Sequence, residues 1–397
     1  MEPEASERVI IVGGGHAGLL LAIGLMNHGI GSTVIDATER EAGVEPRFEG
    51  RALALMFGSR LIIERLGAWE ALRPVVCPVR AVDVLDRATG SRVTYESEEV
   101  GEHPFAYGIE NRLLRSRLLQ AASGQPMIEL LAPAKVADLK SGPGRTTVSL
   151  SDGRQRTGAL VVGADGRTSR VRECAGIRTE QRRYDQVALT FAVQHDEPAG
   201  ARVREFLRPS GPLALLPIGP RLTSITWADR PGRIARLVET TPARLGQALV
   251  DEIGDILGDV EVVGTPSAYP LAAHVARRFA APRLALVGDA AHGLHPIHAQ
   301  GFNLGVRDIG TLVGLLVDAR AQGRGLGDSE ALARYARARE ADVALTLAMT
   351  DGLARLFSNE LEPAKLVRTL GLSALRHVAP LRRLAMRRGM GLTPSFA

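Results

Sequence analysis

Val9-Ile10-Ile11-Val12-Gly13-Gly14-Gly15-His16-Ala17-Gly18, then an apolar run from Leu19 to Asn27, then Ser32-Thr33-Val34-Ile35-Asp36, is the stretch that decides the fold. A short β-branched run bounded by glycines reads as a strand buried on both faces. The apolar spacing from Leu19 predicts a helix that Gly29 ends, and 32–36 predicts a second strand. In that strand–turn–helix–strand setting, G-x-G-x-x-G carries a dinucleotide reading. Gly13 permits the tight turn, Gly15 lets backbone approach a pyrophosphate, and Gly18 lets the helix pack close to the strand. His16 and Ala17 occupy the variable positions of the same loop. Asp36 can accept both ribose hydroxyls and would repel a 2′-phosphate. The expected ligand is an unphosphorylated adenosine dinucleotide, FAD or NAD.

A second stretch works with the first. Arg283 to Asp289 reads as a buried strand ending in an acid, Gly288-Asp289, followed by a turn rich in Pro and His and a helix opening at Gly301. A carboxylate at a strand end can hold sugar hydroxyls, and a helix start offers unpaired N–H groups with a partial positive charge. Together they suit a ribityl chain and an electron-poor ring that becomes anionic when reduced, which describes a flavin. A third element lies between them: the buried run 159–162 leads into Gly163-Ala164-Asp165-Gly166-Arg167.

The remainder predicts an α/β chain. Residues 79–95 alternate as an antiparallel strand pair does, 111–122 is helical with Leu114, Leu118 and Ala122 on one face, and 148–153 suggests a hairpin. Residues 184–270 read as mainly β with a helical piece at 242–256. Everything beyond Gly310 is helical in pattern, including 326–349 and 361–388. The expected domains are a discontinuous FAD-binding domain (1–76, 107–183 and 274–330), a β-sheet substrate domain (77–106 and 184–273) and a C-terminal helical region (331–397).

Composition narrows the function. The chain has 397 residues, 45% hydrophobic and 23% charged, ordinary values for a globular protein large enough for two or three domains. Aromatics are only 4%, which speaks against a nucleic-acid surface built on base stacking. Two cysteines, Cys77 and Cys174, cannot make a disulfide framework, and no Cys/His cluster suggests a metal. With a short polar lead-in at 1–8 and no apolar run of about 18 residues, the expectation is a cytoplasmic protein, not integral to a membrane.

Taken together, Gly13–Gly18 with Asp36, Asp165-Gly166, and Gly288–Asn303 resemble the single-component FAD-dependent aromatic hydroxylases of the para-hydroxybenzoate-hydroxylase-like class. Glu49-Gly50-Arg51-Ala52, Glu110-Asn111-Arg112, 211–217, 295–297, 300–308, 350–359 and 380–383 are similar to the ubiquinone-biosynthesis hydroxylases, and the likeness spans nearly the whole chain. It implies a Rossmann-like, glutathione-reductase-type FAD domain with an inserted, mainly antiparallel β substrate domain. It implies bound FAD, with NADH or NADPH and O2 as co-substrates, and transfer of one oxygen atom through the flavin C4a position to a hydrophobic aromatic, prenylated or polycyclic substrate.

Residue by residue, the resemblance implies that Gly13, Gly15, His16, Ala17 and Gly18 hold the pyrophosphate and Asp36 the adenosine ribose. Arg51, Asn111, Arg112, Asp165 and Gly166 contact the cofactor along its length. Gly288 and Asp289 hold the ribityl chain, Pro296 lines the oxygen-reacting face, and Gly301, Phe302 and Asn303 meet the pyrimidine end. The subfamily carries Ala-Gly where this chain has His298-Ala299, which makes His298 a candidate catalytic group beside Pro296. His292 and His295 are expected to hold loop carbonyls. Leu213, Leu215 and Pro217, alternate residues of one strand, are the expected substrate wall.

The basic, leucine-bearing stretch 361–390 suggests amphipathic helices touching anionic lipid at the inner membrane or a biosynthetic complex. Three rival readings stand beside this one: a secondary-metabolite epoxidase or hydroxylase, a prenyl double-bond reductase that works without O2, and a non-catalytic FAD-binding protein.

Overall fold

The structure, a computed structural model, describes residues 7–39, 50–295, 297–359 and 361–392, with the side chain of His298 outside that description. Pro296 and Glu49 therefore lie outside the described residues.

In chain order, β1 (Val9–Val12), α1 (His16–Asn27) and β2 (Ser32–Ile35) open the fold, every residue of both strands being buried. β3 (Ala52–Met56) runs directly into α2 (Phe57–Arg65), and α3 (Trp69–Leu72) is one turn. β4 (Cys77–Val79), β5 (Ala81–Asp86), β6 (Arg92–Glu96) and β7 (Ala106–Glu110) lead to α4 (Asn111–Ala122). β8 (Ile128–Leu131), β9 (Val136–Ser141), β10 (Thr146–Leu150), β11 (Gln155–Gly158) and β12 (Leu160–Gly163) precede the short α5 (Arg170–Cys174). The long β13 (Thr179–His195), β14 (Arg202–Leu207), β15 (Leu213–Gly219) and β16 (Leu222–Asp229) follow, then α6 (Pro231–Val238), α7 (Pro242–Ile253) and the long β17 (Val260–Ala276). β18 (Ala280–Ala281), β19 (Leu284–Leu286) and β20 (His292–Gly293) return the chain to its start, and α8 (Gln300–Ala321), α9 (Ser329–Phe357), α10 (Glu362–His377) and α11 (Ala379–Gly389) complete it.

Two sheets organise these elements. The first has the order β18-β19-β12-β1-β2-β8, parallel throughout except for the β18 edge. Its strands carry Val, Ile and Leu on both faces because α1, α4 and α8 cover one of them and the sheet β11-β10-β9 packs Val148 and Leu150 into the same, larger core. Parallel strands place their C-terminal ends along one edge, so the loops after β1, β12 and β19 meet there, where open α/β sheets bind ligands. The second sheet has the order β20-β17-β13-β16-β15-β14-β5-β6, antiparallel except for the β14–β5 pair. One of its faces packs Leu189, Phe191, Leu213, Leu215, Ile225 and Trp227 against α6 and α7. The other face turns towards α8 and the C-terminal helices.

Three local expectations are corrected. The strand before Asp289 ends at Leu286, and Gly288–Ala290 is a 3-10 turn. Gly288 has φ +57°, and its N–H is drawn out of the ladder to Asp308 Oδ2 at 2.9 Å. The helix at 242 stops at Ile253, where Gly254 takes φ +76°. Residues 361–388 form two helices, because Pro380 has no N–H for the carbonyl of Arg376. That carbonyl accepts instead from Arg382 Nη1 at 2.7 Å.

Candidate functional site

The loops after β1 and β12 touch through glycine. Gly13 has φ +109°, and a Cβ there would lie 2.3 Å from the Ala164 carbonyl oxygen. A Cβ on Gly18 would lie 1.8 Å from the Gly13 carbonyl oxygen, so only glycine lets α1 start this close to β1. At Gly15 a Cβ would meet nothing within 4 Å, and no side chain caps α1. The glycine face and the uncapped N–H groups of the first helical turn thus open onto free space, an anion cradle. Asp36 folds over Gly14, accepts the Thr38 N–H at 2.8 Å, and lies 3.8 Å from Arg115. An apolar slot beside it is lined by Leu119, Leu130, Leu131 and Ala132.

His16 links three elements. Its Nε2 lies 2.9 Å from the Asn111 carbonyl oxygen, and its ring meets Phe302 edge-on at 5.8 Å. Burial, aided by the nearby Arg115 charge, holds its pKa below the ordinary value and keeps the ring neutral. Asn111 begins α4, gives its N–H to the Arg51 carbonyl at 3.1 Å, and has a buried Oδ1 with no hydrogen-bond partner among the described residues. Arg51 reaches across to the second sheet, donating to Ser267 Oγ at 2.9 Å and lying 5.5 Å from the Tyr269 ring. Arg112 pairs with Glu110 at 3.3 Å. Asp165 accepts the Val171 N–H at 3.1 Å through one oxygen, while its other oxygen is buried without a partner among the described residues. Gly166, at φ +78°, borders open space.

The third element rests on a buried cluster. Asp308 on α8 accepts the Gly288 N–H at 2.9 Å, His292 Nε2 at 2.7 Å and Arg339 Nε at 2.7 Å. Burial alone would raise its pKa, but His292 and Arg339 outweigh that and hold the carboxyl below its usual range. Tyr335 adds a hydrogen bond to the Leu286 carbonyl at 2.6 Å. The Asp289 carboxylate is thereby carried out to the surface of the cleft, and its carbonyl accepts from His274 Nε2 at 2.8 Å. Asp308, Arg339 and His274 were not singled out from the sequence. Asp308 closes the 300–308 motif, and a polar residue facing into an apolar helix is the one signal that marks it.

Asn303 serves the frame through its side chain. It accepts the Met56 N–H and donates to the Ala54 and Ala299 carbonyls, each at 2.8 Å. That clamps the end of β3 to the turn before α8. Ala299 there takes the left-handed conformation, φ 50° and ψ 35°, and, as the N-cap residue of α8, offers no side-chain cap. A Cβ on Gly301 would meet nothing within 4 Å. His292 and His295 hold side chains, not carbonyls: Asp308 for one, and Gln186 Oε1 at 3.0 Å for the other. The wall residues Leu213 and Leu215 point into the core under α6 and α7, because strand alternation sends odd positions of β15 to that face and Leu216 to the other. Pro217 is buried, its carbonyl oxygen pressed against Gly108 on β7.

The profile of the FAD binding domain family matches residues 6–350. The chain belongs to that family. It is 38% identical to ubiquinone hydroxylase UbiL of Rhodospirillum rubrum, over 96% of this chain and 89% of that protein. It is 33% identical to 3-demethoxyubiquinol 3-hydroxylase of Escherichia coli, over 97% and 98% of the two chains. Among solved structures, p-nitrophenol 4-monooxygenase of Pseudomonas putida superposes with a TM-score of 0.81 at 18% identity, covering 97% and 98%. The protein is an FAD-dependent monooxygenase, with NAD(P)H and O2 as co-substrates. When bound, FAD takes reducing equivalents from NAD(P)H and activates O2 for transfer of one oxygen atom. The unfilled polar atoms of Asn111 and Asp165, the open glycine cradle and the uncapped start of α8 fit that cofactor. No described helix is long and apolar enough to cross a membrane.

Proposed function

We propose that this monooxygenase hydroxylates a hydrophobic phenol of the prenylated or polycyclic kind. The observation that carries the reading is a hollow on the inner face of the second sheet. Ala214, Leu216 and Thr226 are only half-buried although they stand on interior strands, while their neighbours on the opposite face are fully buried. Leu216 belongs to one apolar cluster with Ala299, Met56, Tyr107 and Val203, so the hollow lies against the turn before α8. The likeness to a ubiquinone hydroxylase and to a 3-demethoxyubiquinol 3-hydroxylase supports a quinone-precursor phenol as substrate.

In this reading Gly13, Gly15, Gly18 and Asp36 hold the adenosine and pyrophosphate end, and Asp165, Gly166 and Asn111 the middle. Asp289 holds the ribityl chain, and the first N–H groups of α8 at Gly301, Phe302 and Asn303 hold the ring. Arg51 and Arg112 border that site. Pro296 and His298 are proposed as catalytic residues on the sequence resemblance alone, with the second sheet forming the body of a substrate domain.

The same reading seats the protein on anionic lipid. Leu361, Leu366, Val367, Leu370, Val378, Leu381 and Leu384 are exposed on α10, α11 and their caps, beside the exposed Arg376, Arg383, Arg387 and Arg388. Two of the basic residues of this stretch are used internally: Arg368 is buried against Asp86, and Arg382 pairs with Glu99.

The test is oxidation of NADH or NADPH by the purified holoenzyme with prenylated phenols, quinolones and indoles under ¹⁸O2. A phenol product carrying one ¹⁸O atom is expected. A reduced product formed without O2, or NAD(P)H oxidation that yields only hydrogen peroxide with every phenol, would overturn the reading.

A further inference from the structure

Glu205 stands out among the buried acids. It is 8% exposed in the middle of β14, between Ala214 and Val84 across the ladder. Asp83, Asp86, Glu110, Asp229 and Asp308 are also buried, and each has an arginine partner. No hydrogen bond or ion pair among the described residues engages the Glu205 carboxylate. Its oxygens are not among the fully buried polar atoms, so the carboxylate keeps an accessible edge on an otherwise buried side chain, open to a hydrogen-bond donor from a ligand.

Its place in the fold says which ligand. Strand alternation puts Glu205 on the face of Val203 and Leu207, opposite Phe206, which packs under α6 and α7. Val203 shares an apolar cluster with Ala299 and Leu216, and Leu207 shares another with Ile297. Glu205 lies between them in sequence and pairs with Ala214 across the ladder, so its side chain leaves the sheet on the face that carries the hollow, between the two clusters that include Ala299 and Ile297. Among the described residues the charged and titratable groups around it are few. Tyr95 on β6 has its hydroxyl pushed up to about 12 by burial and by the Glu205 charge, so it stays neutral. Arg382 on α11 is held by Glu99, and Asp86 on β5 by Arg368 on α10.

We propose that Glu205 accepts the hydroxyl hydrogen of the phenolic substrate and fixes the ring's orientation in the hollow. This rests on the phenol-hydroxylase reading above. As the ring gives electrons to the incoming oxygen atom, its hydroxyl becomes strongly acidic. The O–H bond breaks, its electron pair closes the ring carbonyl, and the proton passes to the carboxylate. When the newly oxygenated carbon loses its own hydrogen to water, the carbonyl oxygen regains the proton from Glu205 and the carboxylate is restored.

The experiment compares binding of 2-geranylphenol and its methyl ether, which has no hydroxyl hydrogen, to the holoenzyme by flavin difference absorbance. Wild type is expected to prefer the phenol at least tenfold. Glu205→Gln should bring the preference to within about threefold, and Glu205→Asp should recover part of it. With FAD content unchanged, Glu205→Gln and Glu205→Leu should unfold at a urea concentration equal to or above that of wild type, since the carboxylate has no partner within the described fold to lose. An unchanged phenol preference in Glu205→Gln, while wild type hydroxylates the phenol, overturns the assignment. So does loss of FAD and of stability in both variants, which would make Glu205 structural. A wild type that binds neither compound and hydroxylates no phenol overturns the phenol reading itself.

Discussion

Replacing Asp308 by alanine tests whether a buried charge cluster beneath the Gly288 turn sets the flavin site. Asp308 is fully buried and satisfies three donors: the Gly288 N–H at 2.9 Å, His292 at 2.7 Å and Arg339 at 2.7 Å. Removing one partner of a buried ion pair typically costs about 3–5 kcal/mol, because the other charge is left behind without compensation. Arg339 keeps Asp342 at 2.7 Å, which places this case at the low end, about 3 kcal/mol. Asp308→Asn preserves volume but turns an NH2 towards a donor, and should cost about 2 kcal/mol.

The Gly288 turn carries Asp289, so loosening it should also weaken FAD binding about tenfold, or about 1.4 kcal/mol. Urea unfolding of apo- and holoenzyme and a fluorescence titration of FAD read both effects. The double variant Asp308→Ala/Arg339→Met should be less destabilised than the sum of its parts, since the stranded guanidinium is removed with its partner. An Asp308→Ala protein with an unchanged urea midpoint and an FAD dissociation constant within twofold of wild type would refute the reasoning.

Three further outcomes are expected. Burial pushes the His295 imidazole from 6.5 to about 4, against an opposing pull from Asp351. The unfolded chain therefore takes up the proton first on acidification, and stability complete above pH 6.5 is lost by pH 4, about 3 kcal/mol at about 1.36 per unit. His295→Gln should flatten the pH dependence of the urea midpoint in that window, and an identical slope would contradict this. Gly18→Ala places a methyl group 1.8 Å from the Gly13 carbonyl oxygen, and the purified variant should retain FAD at least tenfold less tightly. Arg383→Glu/Arg387→Glu should reduce co-sedimentation with phosphatidylglycerol vesicles while leaving turnover of a soluble phenol unchanged, and equal sedimentation would detach these helices from lipid.

Much of the fold and part of the site were legible in the residues alone. The buried runs at 9–12 and 160–163, the glycines between strand and helix, and Asp36 follow local rules: which side chains sit on a twice-covered strand, and where a Cβ cannot fit. Gly13 and Gly18 are that logic in coordinates, since both lie against backbone a few residues away or on the neighbouring strand. The break at 378 was missed, because the helical periodicity on either side of Pro380 hides it.

What the sequence determined by itself is the order of elements and the cofactor class, because both follow from spacings within some 30 residues. Only the tertiary structure decided which face of β15 meets the hollow, since Leu213 and Leu216 are equally apolar and the placement of α6 and α7 chose between them. It likewise brought Arg339 onto Asp308 from 31 residues away, and gathered Val203 and Leu207, on either side of Glu205, into clusters with Ala299 and Ile297, more than eighty residues downstream. Packing between separate elements creates those neighbourhoods, and no local preference of the chain encodes them.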